Sequence, residues 1–343
     1  MDIRELFRIL VKEKGSDLII KADGCPAMRV QGAVKFVSET RIPEAFAQAL
    51  ANKVIPPKQK ARFEAEGEAD CSYSIDGVGR FRANLFRQQG QLCLVFRHVV
   101  DSIPSMEDLN LPDRQLKELS ALQRGLVLVT GTTGSGKSTT LATMVEYMNH
   151  HFRRHIITIE DPIEFVFTER MSMINQREIG FDTRNYAAAM RHVVRQTPDV
   201  ILLGEMRDQE TVAAALAAAE TGHLVLSTLH TVNAVQTVER ILSFFPPHQH
   251  QEIRYLLSNT LQSIICQRLI PSIDRQGRVP ATEILINTST IQEYIRDASK
   301  THMIPDAIAD GFVNYQMQTF DQSLMKQFKD GHISLEEALR ASS

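Results

Sequence analysis

The chain has 343 residues, of which 43% are hydrophobic and 23% are charged, and its formal net charge at pH 7 is −3. The length favours two domains, and the composition is that of a globular protein with a sizeable core. The acidic balance gives no support to general binding of nucleic acids or anionic membranes. The four cysteines form no CxxC pair, which argues against a zinc ribbon or a disulfide framework, so we expect a cytoplasmic protein with reduced thiols.

The first hundred residues have the pattern of a small α+β domain. Apolar residues at helical spacing cover residues 1–14, short strands are indicated in residues 16–34, and a helical pattern returns over residues 43–66. Residues 71–99 predict two or three further strands. The next stretch, DSIPSMEDLNLP, has two prolines and few apolar residues, and it places a linker at residues 101–113.

Strands and helices alternate in the residues that follow the linker. The predicted strands are residues 125–130, 155–160, 199–205 and 223–230. The predicted helices between them are residues 138–149, 184–195 and 209–222. Apolar strands without internal alternation, separated by helices, indicate a parallel sheet that is buried on both faces. The C-terminal third, from about residue 234, is predicted to be mostly helical, so the fold class is α/β.

A glycine-rich stretch, GTTGSGKST, lies between the first strand and the first helix of this alternation and fits the phosphate-binding loop pattern GxxxxGK[ST]. Its glycines let backbone N–H groups turn toward phosphates, and the helix presents its positive end to the same anion. Lys137 is expected to reach the β- and γ-phosphates of ATP, and the Ser138 hydroxyl is expected to bind Mg²⁺. The predicted nucleotide-binding residues are Gly131, Thr132, Thr133, Gly134, Ser135, Gly136, Lys137, Ser138 and Thr139.

Further strand ends carry the polar residues that a Mg²⁺–triphosphate site needs. Glu160 and Asp161 end one strand, at the edge where α/β sheets bind ligands. Glu205 ends the next strand, where a Walker-B strand usually has Asp, and it is expected to act through the water shell of Mg²⁺. His230 is the better candidate for a γ-phosphate sensor. His223 stands at the other end of that strand, roughly 23 Å away, so the two cannot share one metal.

Four arginines cluster near the end of the first domain, at positions 80, 82, 87 and 97. In the strand GRFRANLF, Arg80, Arg82 and Asn84 share one face, and the apolar residues share the other. A solvated face is the simpler interpretation for any single arginine. The cluster also suggests arginine fingers that stabilise developing charge on the nucleotide of a neighbouring subunit.

The segments GTTGSGKST, TIEDPIEF, RQTPDVILLGEMRD and TGHLVLSTLHT, in this order, resemble the secretion-type hexameric ATPases, the motors of type IV pili and type II secretion. They cover residues 125–245, and a weaker resemblance covers nearly the whole chain. The resemblance implies a PAS-like N-terminal domain, residues 1–100, and a RecA-like P-loop ATPase domain, residues 114–343, with a helical C-terminal region. It also implies a homo-hexamer that holds ATP between domains and between subunits.

The same resemblance implies roles for five residues. Glu160 is similar to the catalytic glutamate of the family, Glu205 to its Walker-B glutamate, and His230 to its histidine-box residue. Arg82 and Arg97 match the arginine pair that the family directs toward the phosphates. The resemblance further implies recruitment to the inner membrane from the cytoplasm, with a pilus platform protein as partner and a paralogous pilus ATPase as a second candidate partner.

Three functional hypotheses remain open. Extension and secretion motors of the family typically carry a four-cysteine zinc motif, which this chain lacks, so the resemblance favours the branch that retracts type IV pili and powers twitching motility. That branch usually carries AIRNLIRE, whereas the matching residues 290–297 keep Arg296 but have Gln292 and Glu293 in place of Arg and Asn. A principal and an accessory retraction motor are therefore both compatible with the sequence. A RecA-like nucleic-acid motor would bind DNA in a salt-sensitive way, but no basic tract supports it, and we expect no nucleic-acid partner.

Overall fold

The computed structural model describes residues 3–30, 32–99, 103–274 and 277–342. The chain divides into two compact units. The first contains the residues up to 99 together with Glu164–Val166, and the second contains residues 103–163 and those from 167 onward. Residues at the edges of the predicted domains and linker lie outside the described residues, namely 1, 2, 100–102 and 343.

The described part of the first unit is built on a six-stranded antiparallel sheet with the order β3-β2-β1-β6-β5-β4. Its strands are β1 (Asp17–Lys21), β2 (Ala27–Val30), β3 (Ala33–Phe36), β4 (Glu68–Ile75), β5 (Gly79–Gln88) and β6 (Gln91–Val99). Its helices are α1 (Ile3–Lys12), α2 (Glu44–Val54) and α3 (Pro57–Glu66). On β5, Phe81, Ala83 and Leu85 are fully buried and Arg82 is exposed, which confirms the predicted alternation.

The second unit is built on a seven-stranded sheet with the order β13-β12-β7-β11-β10-β8-β9. Its strands are β7 (Gly125–Thr130), β8 (His155–Glu160), β9 (Met173–Glu178), β10 (Val200–Leu203), β11 (Leu224–Leu229), β12 (Leu261–Pro271) and β13 (Arg278–Ile286). Neighbouring strands are parallel except β12 and β13, which form an antiparallel pair. The predicted α/β class is confirmed.

Helices cover both faces of this sheet. Along β7, Leu126 and Leu128 belong to one apolar cluster, and Val127 and Val129 belong to another on the opposite face. The helices are α4 (Asp113–Ala121), α5 (Lys137–His151), α6 (Tyr186–Val193), α7 (Gln209–Glu220), α8 (Ala234–Ser243), α9 (His250–Thr260), α10 (Ser289–Arg296), α11 (Ile304–Asp310), α12 (Phe312–Tyr315), α13 (Phe320–Lys329) and α14 (Leu335–Ala341). Among the described residues, none of the helices combines the length and the apolar character that a membrane span requires.

The C-terminal third is mostly helical, as predicted, but it also contributes two long strands that the sequence did not predict. Strand β12 runs parallel to β7, and Cys266 pairs with Thr130 in that register. Because β7 leads directly into the glycine-rich stretch, β12 brings C-terminal residues next to it. Strand β13 then returns along β12 and forms one edge of the sheet.

Candidate active site

The predicted phosphate loop connects the end of β7 to the start of α5. Three of its residues have a positive φ, which is 145° at Gly131, 77° at Gly134 and 90° at Gly136. These angles favour glycine, because a side chain there is strained. A Cβ atom on Gly131 would lie 2.4 Å from the carbonyl oxygen of Gln267, and one on Gly136 would lie 2.8 Å from its Nε2. The loop therefore takes this shape only with glycine at both ends.

The loop encloses the side chain of Lys137. Its Nζ donates to the carbonyl oxygens of Gly131 at 2.9 Å and Thr132 at 3.0 Å, and the residue is 9% exposed. In the same turn of α5, Ser138 is exposed and Thr139 is half-buried. The first N–H groups of a helix have no partner within the helix. A buried ammonium group and a helix N-terminus thus meet at one place, which suits an anion.

The tip of the loop faces solvent. Thr132, Thr133 and Gly134 are exposed, whereas Ser135 is buried, and its hydroxyl has no hydrogen-bond partner among the described residues. Arg278 of β13 approaches the tip, with its Nη1 donating to the carbonyl oxygen of Gly134 at 3.5 Å. The loop therefore has a second cationic side chain besides its lysine.

Four adjacent strands end at the same edge of the sheet as the loop. In the order β7-β11-β10-β8, the loop follows β7, His230 follows β11, Glu205 lies two residues beyond β10, and Glu160 ends β8. The four strands are parallel, so their carboxyl ends lie side by side. This is the edge at which α/β sheets bind ligands. The structure thus brings the three predicted residues of this unit to the loop's edge.

Glu205 is at the centre of an ion-pair network at this edge. Its Oε1 lies 3.0 Å from Nε2 of His230, and its Oε2 accepts from Nε of Arg207 at 2.8 Å. Arg207 Nη1 also donates to Oδ2 of Asp161 at 3.3 Å, which connects the ends of β10 and β8. The hydrogen bond to Glu205 raises the pKa of Arg207, so the guanidinium keeps its charge. The predicted Glu205 and His230 are in direct contact.

Glu160 is held by two neighbours that the sequence did not single out. The hydroxyl of Thr158 donates to Glu160 Oε1 at 2.6 Å, and Nε2 of Gln176 donates to the same oxygen at 3.3 Å. Gln176 is opposite Thr158 in the β8–β9 register. The i, i+2 spacing of Thr158 and Glu160 on one strand was a usable signal, whereas Gln176 lies on a strand that was not predicted.

Tyr186 is another residue of this region that the sequence did not indicate. Its hydroxyl would lie 2.9 Å from a Cβ atom on Gly204, and that atom would also lie 3.2 Å from the carbonyl oxygen of Ile159. Gly204 therefore allows the chain before Glu205 to pack closely against the end of β8. Burial, and then the charge of Asp161, raise the pKa of Tyr186, so its hydroxyl keeps its proton.

A cavity of about 370 Å³ lies beside the phosphate loop within the second unit. Gly136 and Thr139 form the wall on the loop side, and Gln267, Leu269 and Arg278 form the wall on the β12–β13 side. The remaining wall comes from the segment that precedes α4, residues 108–111. The cavity combines apolar and hydrogen-bonding groups, as ligand pockets usually do.

The two predicted arginines of the first unit lie side by side on the neighbouring strands β5 and β6. Arg82 is opposite Arg97 in the register, and both are exposed. Nε of Arg97 donates to Oδ1 of Asp17 on β1 at 2.9 Å, and Nε of Arg29 lies 3.5 Å from the other carboxylate oxygen. Asp17 itself is only 4% exposed. It therefore anchors the Nε end of Arg97 at the sheet, while the Arg97 side chain stays 67% exposed.

Two other sequence features have local structural explanations. His223 Nδ1 lies 3.0 Å from the carbonyl oxygen of Ala218, at the amino end of β11 and away from the edge that carries His230. In the AIRNLIRE-like segment, Arg296 joins α10 to α9 through Ser258 and Asn259. Within the described residues, no group of three or more His, Cys, Asp or Glu side chains is placed to hold a metal ion.

Comparison with known proteins adds a family to this geometry. The chain matches the family described as Type II/IV secretion system protein over residues 80–340. It is 43% identical to the type IV pilus retraction ATPase PilT of Pseudomonas aeruginosa, over 98% of this chain and 97% of that protein. It is 40% identical to the type IV pilus ATPase PilU of the same organism, over 99% of this chain and 88% of that protein.

A solved structure leads to the same family. The crystal structure of the pilus retraction motor PilT with bound ADP is 45% identical in sequence and has a TM-score of 0.91 to this fold. The alignment covers 100% of this chain and 97% of that one. The family match spans most of the chain, and the relatives align along nearly their whole length. This chain belongs to the Type II/IV secretion system protein family.

Proposed function

We propose that this chain is the subunit of a six-membered ring that hydrolyses ATP to power retraction of type IV pili and twitching motility. One observation carries the proposal: similarity to PilT extends over 98% of a chain that also holds a phosphate loop beside Glu205 and His230. The reaction is hydrolysis of ATP to ADP and phosphate, coupled to mechanical work. The roles given below to individual residues are part of the proposal.

The phosphate loop fits the β- and γ-phosphates of Mg²⁺-ATP. Lys137 now donates to two loop carbonyls, and phosphate oxygens are stronger acceptors because they are charged. The lysine therefore transfers its hydrogen bonds to the phosphates, and the N–H groups of the loop surround them. The exposed hydroxyl of Ser138 is the ligand that we assign to Mg²⁺, which neutralises charge between the two phosphates when it is bound.

Glu160 orients the water that attacks the γ-phosphate. Thr158 and Gln176 hold one of its carboxylate oxygens, so the carboxylate has a fixed direction at the end of β8. A positioned carboxylate raises the reactivity of water by orienting it and by accepting its proton. This role follows from the position of Glu160 at the strand end and from its similarity to the family's catalytic glutamate.

Glu205 and His230 together respond to the presence or absence of the γ-phosphate. Glu205 acts through the water shell of Mg²⁺, and His230 contacts its Oε1. Since Arg207 joins Glu205 to Asp161, a shift of Glu205 on phosphate release also moves the end of β8. The network therefore couples phosphate release to a structural change at the end of the adjacent strand.

The cavity beside the loop receives the nucleoside of ATP. Thr139 lines it from the first turn of α5, beside the loop that we assign to the phosphates. Leu111 and Leu269 offer apolar surface to the flat faces of a base, and Arg278 offers a cation near the phosphates. The cavity of about 370 Å³ is large enough for a nucleoside.

Arg82 and Arg97 act on the nucleotide of a neighbouring subunit in the ring. They form an adjacent pair on one sheet face, and Asp17 accepts a hydrogen bond from Nε of Arg97 while most of that side chain stays exposed. An arginine fork in this position suits the charge that develops on a transferring phosphoryl group. Each site then needs two chains, which couples hydrolysis to the relative movement of subunits.

The ring works in the cytoplasm, where a platform protein of the pilus machine recruits it to the inner membrane. A paralogous pilus ATPase is a second partner in the same pilus machine. Both assignments rest on the likeness to PilT and PilU. The first assignment is tested by co-purification of the tagged chain with the platform protein from detergent-solubilised membranes. The control is the same purification from a strain that lacks the pilus machine.

An accessory retraction motor is the second candidate. The likeness to PilU extends over 99% of the chain at 40% identity, nearly the same as the likeness to PilT. The two candidates differ in the phenotype of a deletion strain. Loss of all retraction indicates a principal motor, whereas retraction that persists with reduced force indicates an accessory one.

ATP turnover of purified variants tests the enzyme. We expect Lys137→Ala and Glu160→Gln to lower kcat by about a hundredfold or more, because each removes a group that acts on the transferring phosphoryl. Glu146→Gln on α5 is a matched carboxylate control in the same unit, since Glu146 pairs with His150 there. Near-parental turnover of Lys137→Ala, or an equal loss in Glu146→Gln, would contradict the assignment.

A further inference from the structure

One residue, Gln267, lies against both ends of the phosphate loop, with its backbone at the first end and its side chain at the second. Strand β12 runs beside β7, and Cys266 is opposite Thr130, so Gln267 lies next to the first loop glycine. Its backbone carbonyl oxygen occupies the space that a Cβ atom on Gly131 would need, at 2.4 Å. Its Nε2 occupies the corresponding space at Gly136, at 2.8 Å. The loop begins and ends against the same residue.

A hydrogen bond fixes the orientation of this side chain. Thr140, in the first turn of α5, donates its hydroxyl to Oε1 of Gln267 at 2.7 Å. Both residues are buried, with exposures of 1% for Thr140 and 3% for Gln267. Because Oε1 accepts from Thr140, the amide nitrogen is directed to the other side, toward Gly136 and the cavity. A buried bond of this kind holds one rotamer, since breaking it leaves a polar group without a partner.

We propose that Gln267 is a positioning residue that sets the curvature of the phosphate loop for the β-phosphate of the nucleotide. Its side chain packs against Gly136 at the end of the loop and joins that end to the first turn of α5 through Thr140, while its backbone carbonyl lies against Gly131 at the start of the loop. The inference rests on nucleotide binding by the loop, as proposed above, but not on pilus retraction. It predicts that Gln267 affects the binding of phosphates more than the binding of the nucleoside, although the residue also lines the cavity.

Binding affinities of full-length variants for Mg²⁺-ADP and for adenosine test this inference by calorimetry. We expect Gln267→Leu, which keeps the size but removes the hydrogen bond, to weaken Mg²⁺-ADP binding about tenfold. Thr140→Val, which removes the donor, should have a similar effect. Since both changes break the same bond, the double variant should be no weaker than the stronger single variant. Adenosine affinity should fall less than Mg²⁺-ADP affinity in all three, because both residues line the cavity but contact the loop directly.

The second unit offers a matched control. Gln318 and Thr282 form another buried pair of the same residue types, with Nε2 of Gln318 donating to the Thr282 hydroxyl at 2.6 Å. Gln318→Leu should lower the melting temperature as Gln267→Leu does, but it should leave Mg²⁺-ADP affinity unchanged. An equal loss of Mg²⁺-ADP affinity in this control would show a general effect of destabilisation and would overturn the inference.

Other results would also overturn it. These are parental Mg²⁺-ADP affinity in Gln267→Leu, an equal loss of adenosine affinity, or additive losses in the double variant. If Gln267→Leu does not fold, Gln267→Glu replaces it, because the carboxylate still accepts from Thr140 and adds a negative charge beside Gly136. It should then weaken Mg²⁺-ADP more than adenosine, and an equal effect on both would be contrary to the inference. Failure of the parental protein to bind Mg²⁺-ADP would instead refute the proposed function.

Discussion

At the scale of single residues, the glycines of the phosphate loop meet two separate requirements. Gly134 and Gly136 both have a positive φ, 77° and 90°. A Cβ atom on Gly134 would have no neighbour within 4 Å, whereas one on Gly136 would lie 2.8 Å from Nε2 of Gln267. Gly134 is therefore needed only for its backbone angle, and Gly136 is needed also for close packing against β12.

Alanine at each position separates these two effects. Gly134→Ala should lower the free energy of unfolding by about 1–2 kcal/mol, the cost of a left-handed residue with a side chain. Gly136→Ala should lower it by roughly 1–3 kcal/mol more, because the added methyl group is forced against a buried side chain. Urea unfolding without nucleotide measures both. Equal losses of unfolding free energy would mean that the Gln267 side chain moves aside for the added methyl group without destabilising the fold.

Sequence patterns indicated the residues at strand ends better than the residues that support them. Glu160, Glu205 and His230 were named because each follows an apolar run, and the structure places all three at the loop's edge. Their roles stay predictions. Asp17 and Gln267 were missed because their partners are far away in the chain: 80 positions separate Asp17 from Arg97, and 127 separate Gln267 from Thr140. Such contacts depend on sheet register, which local spacing does not determine.

At the scale of elements, a half-buried carboxylate joins the edge strand β13 to the helix that follows the histidine of the site. Oε1 of Glu283 accepts from the backbone N–H of Ala234, the first residue of α8, at 2.8 Å. A negative charge is favourable at a helix N-terminus. Burial outweighs that effect, since it raises the pKa of Glu283 above its usual value of 4.5. The folded chain therefore binds this proton more tightly than the unfolded chain does.

The free energy of unfolding should depend on pH through Glu283. With a raised pKa in the folded state, this carboxyl lowers stability as pH rises above about 4.5, because the unfolded chain loses its proton first. Glu283→Gln keeps a carbonyl acceptor for Ala234 and removes the ionisation. Its stability relative to the parent should therefore increase between pH 4 and pH 8. Glu252→Gln on the exposed face of α9 is the control, and a constant difference in both variants would contradict the prediction.

The elements that sequence patterns missed have a common physical cause. The strands β8, β10 and β11 were predicted within two residues because each is a short apolar run between helical segments. Strand β12 is also apolar, but it directly follows α9 without a glycine or a proline between them. Its 11 residues are also long enough for a helix, so the apolar pattern alone does not distinguish a strand from a buried helix. Its pairing with β7 is long-range, so it becomes visible only in the folded sheet.

At the scale of the whole molecule, the proposed ring divides the reaction between chains. The loop, Glu160 and Glu205 belong to the second unit, and the arginine pair belongs to the first. If the pair acts on the nucleotide of a neighbour, no single chain holds a complete site. Head-to-tail contacts that close into a ring repeat such a shared site around the ring. The shared site is then what links ATP turnover to subunit movement.

Mixing of two inactive variants tests the shared site directly. Lys137→Ala subunits keep their arginines, and Arg97→Ala subunits keep their loop. In a randomly mixed ring at equal amounts, about a quarter of the sites combine an intact loop with an intact neighbouring arginine. We therefore expect ATP turnover to recover on mixing to as much as a quarter of the parental rate. A mixture of Lys137→Ala and Glu205→Gln is the control: both changes lie in the same half of the site, so it should stay inactive. Co-assembly without recovery in the first mixture, or equal recovery in both, would place the arginines outside the shared site.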